Sequence, residues 1–188
     1  MGIPIRPPGP MRSEDFFAFT ARRPDEEKWE LIDGEPVMNA SPSFLHQFIV
    51  RNLIASLVTV ERGRQASWTS VPGIGVRLSA TSVPVPDVLI RPRDMLARAE
   101  CDDMIVAFEV LSPTTSGVDL RWKRSAYASL PSLQHYVVIA QDTIEIAVFN
   151  RSNHFSERRM IDPAAVLDLA AIGVALPLTE IYRDTGLI

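Results

Sequence analysis

The chain has 188 residues, 46% hydrophobic and 22% charged, which is enough to bury a sizeable core and ordinary for one domain. Its net charge of −4 excludes a global basic field of the kind that marks a nucleic-acid coat, leaving only local basic patches at Arg121-Trp-Lys-Arg124 and Arg158-Arg159. The single cysteine, Cys101, excludes an internal disulfide framework and a multi-cysteine metal site, and fits a reducing, cytoplasmic setting.

In chain order, residues 1–12 carry four prolines before Met11 and no apolar run, so they read as an extended lead-in and not as a signal peptide. Residues 13–188 read as one domain. Ser13-Glu-Asp15 before Phe16-Phe17 predicts a short helix, with Ser13 capping and acids in the first turn. Trp29 to Met38 holds Asp33-Gly34 between two apolar runs, the signature of a two-residue hairpin turn at positive φ. Ser41-Pro42 predicts the start of a helix that ends at Gly63, with His46, Val50, Leu53 and Leu57 on one face. Its apolar content is broken by His46, Gln47, Arg51 and Asn52, which argues against a membrane span.

Ser67–Val71, Ile74–Leu78 and Asp87–Arg91 are strand candidates, with Asp87 at a strand mouth after the extended Val83-Pro-Val-Pro86. A charged linker with room for a helical turn or two, residues 93–103, leads to Met104–Leu111. This run is apolar on both faces except for Glu109, as expected of a strand covered on both sides. The loop from Ser112 to Gly117 precedes a helix, Val118–Leu130, that places Asp119, Lys123 and Tyr127 on one face. Gln134–Ala140 and Thr143–Asn150 predict a hairpin, and the apolar tail from Ala164 to Leu187 reads as helix broken at Pro177. The order implies a mixed α/β sheet flanked by helices.

Glu109 needs compensation, because an ionised carboxylate in an apolar strand is costly unless it is paired or binds a metal. Asp87 and Glu109, at the ends of adjacent strands, can together hold Mg²⁺, a hard ion that takes oxygen ligands and keeps several waters. A lysine on the next helix, Lys123, would add positive charge at a phosphate or orient the attacking water. Each residue also has a plainer reading. Glu109 can be a buried acid paired with Lys123 or an arginine. Asp87 can be a turn residue, Lys123 the i, i+4 partner of Asp119, Glu30 an exposed strand acid, and His46 a core histidine. Cys101 has no visible base partner, and Ser112 has no neighbouring histidine to support a hydrolase triad. No G-x-x-x-x-G-K, G-x-G-x-x-G or H-E-x-x-H occurs, which argues against NTPase, dinucleotide and zincin chemistry.

The ordered set Glu30-Leu-Ile-Asp-Gly34, Ser41-Pro42, His46-Gln47, Pro86-Asp87, Glu109-Val-Leu-Ser-Pro113, Asp119-Leu-Arg-Trp-Lys123 and Tyr127 resembles the Uma-type restriction-endonuclease family of the PD-(D/E)XK nuclease superfamily. The segment Leu176–Tyr182 resembles that family's ending, so the likeness runs from about residue 12 to 185. It implies a restriction-endonuclease-like core, a central mixed sheet flanked by helices. It also implies Mg²⁺ or Mn²⁺ on Asp87 and Glu109, DNA as the substrate, and a homodimer. The superfamily motif expects lysine two residues after the acid. Leu111 stands there, and the resemblance passes the role to Lys123, with Glu30 as a further carboxylate. The alternative is a degenerate nuclease fold serving as a DNA-binding or protein-interaction module.

Overall fold

The computed structural model describes residues 9–24, 26–93, 100–111 and 117–188, without the side chains of residues 100 and 117–119. Most of the lead-in, the middle of the charged linker, the 112–116 loop and the proposed Asp119 partner of Lys123 therefore lie outside the described residues.

Two elements open the chain: helix α1 (Ser13–Thr20) and the hairpin β1 (Trp29–Ile32) and β2 (Glu35–Met38). The long helix α2 (Phe44–Gly63) follows. Next come β3 (Trp68–Pro72), β4 (Gly75–Val76), β5 (Val88–Pro92), β6 (Glu100–Cys101) and β7 (Val106–Leu111). Helix α3 (Gly117–Ala128) leads to β8 (His135–Ala140), β9 (Ile146–Asn150) and β10 (Glu157–Met160). The chain closes with β11 (Val166–Leu169), β12 (Val174–Pro177) and the single turn α4 (Leu178–Ile181).

Six strands form one mixed sheet in the order β10-β9-β8-β7-β5-β3. Only β7 and β8 run parallel, joined by the α3 crossover, and the other neighbours are antiparallel. Because side chains alternate along a strand, Val106, Phe108 and Val110 of β7 face α2, where they pack with Ile49, Leu53 and Leu57. Ala107 points to the other face, with Tyr127 of α3, Leu130 and Tyr136. The sheet is thus covered on both faces around β7, which is why its sequence is nearly all apolar. Full burial of leucines such as Leu53 and Leu57 contributes about 1.5–3 kcal/mol each to holding α2 on the sheet.

The hairpin turn is as the sequence predicts: Asp33 and Gly34 both have positive φ, 49° and 86°. The helix starts differ from expectation. Arg12, not Ser13, occupies the cap of α1, and no side chain caps it; the Ser13 N–H donates instead to the Ala80 carbonyl. Helix α2 is capped by Ser43, whose hydroxyl accepts from the His46 N–H at 3.1 Å, so Pro42 lies outside the helix. The strand expected over 74–78 shrinks to β4, which pairs with β6.

The tail is a β-hairpin and not a helix. Leu167, Leu169, Val174 and Leu176 are buried in strict alternation with exposed neighbours, a period-2 pattern. Gly173 at φ 64° ends the short 3₁₀ turn between the two strands. This hairpin joins the α2-side core.

Candidate active site

Asp87 and Glu109 meet because of sheet register. In the β5–β7 pairing, Val88 stands opposite Phe108, and continuing that register by one residue sets Asp87 opposite Glu109. Glu109 alternates with the α2-facing residues of β7 and so emerges under α3. From α3, Lys123 and Tyr127, four residues apart on one helical face, both reach it. The Lys123 Nζ lies 3.1 Å from Glu109 Oε1, and the Tyr127 hydroxyl donates to the same oxygen at 3.0 Å. A third acid arrives from β1: Glu30 Oε1 is 3.1 Å from the same Nζ and accepts the Val85 N–H at 2.7 Å. The hairpin is held against α3 by the Trp122 indole N–H, which donates to Asp33 Oδ2 at 2.8 Å.

All four residues singled out from the sequence therefore fall in one place. Lys123 is only 6% exposed and Glu30 2%, so neither is the solvated surface charge of the plainer reading. Glu109 is indeed paired with Lys123, as that reading had it, yet Glu30 shares the same ammonium and Asp87 stands opposite Glu109 as a third acid.

His46 is the residue that sequence reasoning set aside. It lies on the buried stripe of α2, but its Nε2 is 3.2 Å from Asp87 Oδ2, across 41 residues of chain. The Val110 N–H donates to that same oxygen at 2.8 Å. Nothing local predicts the pair; the one signal is a polar ring on an otherwise apolar face. Tyr127 was legible as the helical neighbour of Lys123 and as part of the resemblance, but not as a partner of Glu109.

The two central acids are pushed in opposite directions. Burial drives Asp87 upward, but the hydrogen bond and charge of His46, with the Val110 N–H, outweigh it and hold the carboxyl below its ordinary value. Glu109 is pushed up to about 8, first by burial and then by the negative charges of Glu30 and Asp87, against the pull of Lys123. Tyr127 is held well above its usual range by burial and then by the charge of Glu109, so it stays a hydrogen-bond donor. Carboxyls displaced apart in one cluster are a mark of functional sites.

Asp87 Oδ1 and Glu109 Oε2 accept no hydrogen bond among the described residues. No group of three or more His, Cys, Asp or Glu among the described residues is placed to hold a metal ion by itself. Two carboxylates with an unused oxygen each, in a cluster with surplus negative charge, fit a cation that keeps most of its waters, as Mg²⁺ does. They do not fit zinc, which takes at least three protein ligands with histidine or cysteine among them.

The model of the Uma2 family, described as "putative restriction endonuclease", matches residues 13–179. The chain belongs to the Uma2 family. Among solved structures, it is similar to the crystal structure of a "putative nuclease belonging to DUF820" from Anabaena variabilis, with a TM-score of 0.75 and 15% identity over 92% of this chain and 98% of that one. That likeness shows the fold: a mixed α/β architecture around the six-stranded sheet. A curated relative, the uncharacterized protein slr1290 of Synechocystis sp., is 30% identical over 102 residues, 52% of this chain and 53% of that protein. The chain thus spans about half the length of that relative. No helix among the described residues is long and apolar enough to cross a membrane.

Proposed function

We propose that this Uma2 protein is a Mg²⁺-dependent nuclease that hydrolyses phosphodiester bonds in DNA. The observation that carries the reading is the convergence of Glu30, Asp87, Glu109 and Lys123, from four separate elements, into one buried cluster with more carboxylate than ammonium. The relatives' descriptions as restriction endonuclease and nuclease support it. Asp87 and Glu109 are the residues that hold the ion, and a bound Mg²⁺ supplies charge neutralisation at phosphate and a more acidic water.

The chain's own groups divide the remaining work. His46 and the Val110 N–H fix Asp87 through Oδ2, leaving Oδ1 for the cation. Tyr127 fixes Glu109 in the same manner through Oε1. Glu30, itself fixed by the Val85 N–H, holds the Lys123 ammonium beside Glu109, where it stabilises charge developing on the phosphoryl oxygens. A lysine two residues after Glu109 would rise from the same face of β7, whereas Lys123 reaches that face from α3; Leu111 is then free to line the neighbouring surface. Homodimerisation belongs to the same reading, since a two-fold enzyme matches the two strands of a duplex.

A second reading rests on the double ion pair of Lys123. With Glu30 and Glu109 both at 3.1 Å, the lysine already serves the acids, as it would in a non-catalytic module. Calorimetry with Mg²⁺ or Mn²⁺ on the wild type and on Glu109→Gln, followed by cleavage of plasmid and linear DNA, separates the two. Binding lost in the variant together with metal-dependent cleavage supports the nuclease. A folded wild type that binds no ion with or without DNA rejects it.

A further inference from the structure

Beside the carboxylate cluster lies a cleft of about 400 Å³ whose lining none of the residues above requires. Its floor is the β8–β9 part of the sheet, where Val138 and Phe149 are almost fully buried and Ala147 is half-buried. One wall is α3, which presents Arg121 and Arg124. The opposite wall carries Arg159 with Glu145 and Glu157.

The two walls differ in charge. Arg159 is bound to both glutamates, its Nη1 at 2.9 Å from Glu145 Oε1 and its Nε to Glu157, so that wall carries more carboxylate than guanidinium and offers mainly acceptors. Arg121 and Arg124 form no ion pair among the described residues. The Arg124 guanidinium lies 5.4 Å from the Phe149 ring centroid, a flat cation spread over an aromatic floor. The cleft therefore combines two guanidinium groups with no ion pair among the described residues, a flat plane where Arg124 lies over Phe149, and a far wall able to hydrogen-bond. A ligand that satisfies all three has an anionic group, a flat ring and a polar ring edge.

Its position narrows the class further. Leu111, two residues beyond Glu109 on β7, lines the cleft, and Val138 of its floor stands directly opposite Glu109 in the β7–β8 register. Neighbouring strands are about 4.8 Å apart, so the floor starts one strand from the carboxylate cluster. Arg121 and Arg124 flank Lys123 along α3.

We propose that this cleft is a nucleotide subsite, which takes one unstacked base against the Arg124 guanidinium plane backed by Phe149 and its phosphate on Arg121, adjoining the phosphate to be cleaved. The inference rests on the nuclease reading only for that last point. Stacking on an aromatic or guanidinium plane, with a cationic wall along the backbone, is the general chemistry of single-strand recognition. It makes unpaired DNA the preferred substrate.

The test is fluorescence anisotropy in EDTA, so that binding is read without hydrolysis, using a short labelled single-stranded oligodeoxynucleotide and the corresponding duplex. Wild type, Arg121→Ala/Arg124→Ala and Ala147→Trp are compared, the last filling the floor while keeping both arginines. The expected result is single-strand affinity about tenfold above duplex affinity, lost by about tenfold in each variant. Equal affinity for both probes, or an Ala147→Trp protein that binds the single strand like wild type, overturns the subsite. If Ala147→Trp fails to fold, the arginine variant decides, through loss or retention of the single-strand preference. Cleavage with Mg²⁺ is scored separately. No cleavage with the preference intact rejects the nuclease and keeps the subsite; cleavage with no preference does the reverse.

Discussion

Glu109→Gln removes the titratable proton of the acid whose carboxyl burial pushes up, while keeping its shape. The amide oxygen of the substituted side chain can still accept from Tyr127 and Lys123, and Lys123 retains Glu30. In the folded wild type the Glu109 carboxyl is raised from 4.5 to about 8, so between those values the native state holds a proton that the unfolded chain has released. Stability contributed by that proton is fully present below about pH 4.5 and is lost as pH rises towards 8. One pH unit is worth about 1.4 kcal/mol, so the total is a few kcal/mol and no more than about 5. Glutamine has no such proton to lose. Urea unfolding in EDTA from about pH 5 to about pH 8 is therefore expected to show the wild type falling relative to the variant by a few kcal/mol. Mg²⁺ at pH 8 should restore the wild type alone, by mass action on the folded state. A wild-type–variant difference that does not change with pH would refute the claim that burial dominates at Glu109.

Lys123→Met leaves Glu30 and Glu109 buried without their shared cation and should cost about 3–5 kcal/mol in thermal or urea unfolding, easing at low pH as the acids protonate. His46→Ala removes the hydrogen bond that holds the Asp87 carboxyl down, so calorimetric Mg²⁺ affinity should fall by about 10–100-fold, the range for groups that orient a metal ligand, and recover in part at higher pH. Cys101 is 2% exposed and its thiol is pushed up to about 11 by burial and then by Asp103, so iodoacetamide should label it slowly in the native protein at neutral pH and fast in urea. Gly34→Ala places a methyl 2.3 Å from Pro10 Cβ at φ 86°, and a loss of at least about 1 kcal/mol in unfolding experiments is expected.

Local periodicity carried most of the architecture. The Asp33-Gly34 hairpin, the buried stripe of α2, the doubly covered β7 and the α3 crossover are all encoded in stretches shorter than about twenty residues. Within such a stretch, backbone conformation and side-chain direction follow from neighbours in the chain. The tail hairpin was legible by the same rule, since Leu167, Leu169, Val174 and Leu176 alternate, but its high apolar content masked the period.

What no stretch of sequence could settle was partnership. Lys123 has Asp119 four positions away in the chain, but Glu30 and Glu109 reach it only through the docking of the β1–β2 hairpin and β7 against α3. His46 looks like any core histidine until α2 lies over the mouth of β5 and meets Asp87. The residue types were written in the chain: a lone acid in an apolar strand had to be compensated, and the sequence said so. By what, and with how much negative charge left over for a cation, was decided by strand order and register. These bring together groups whose separation along the chain leaves no local trace.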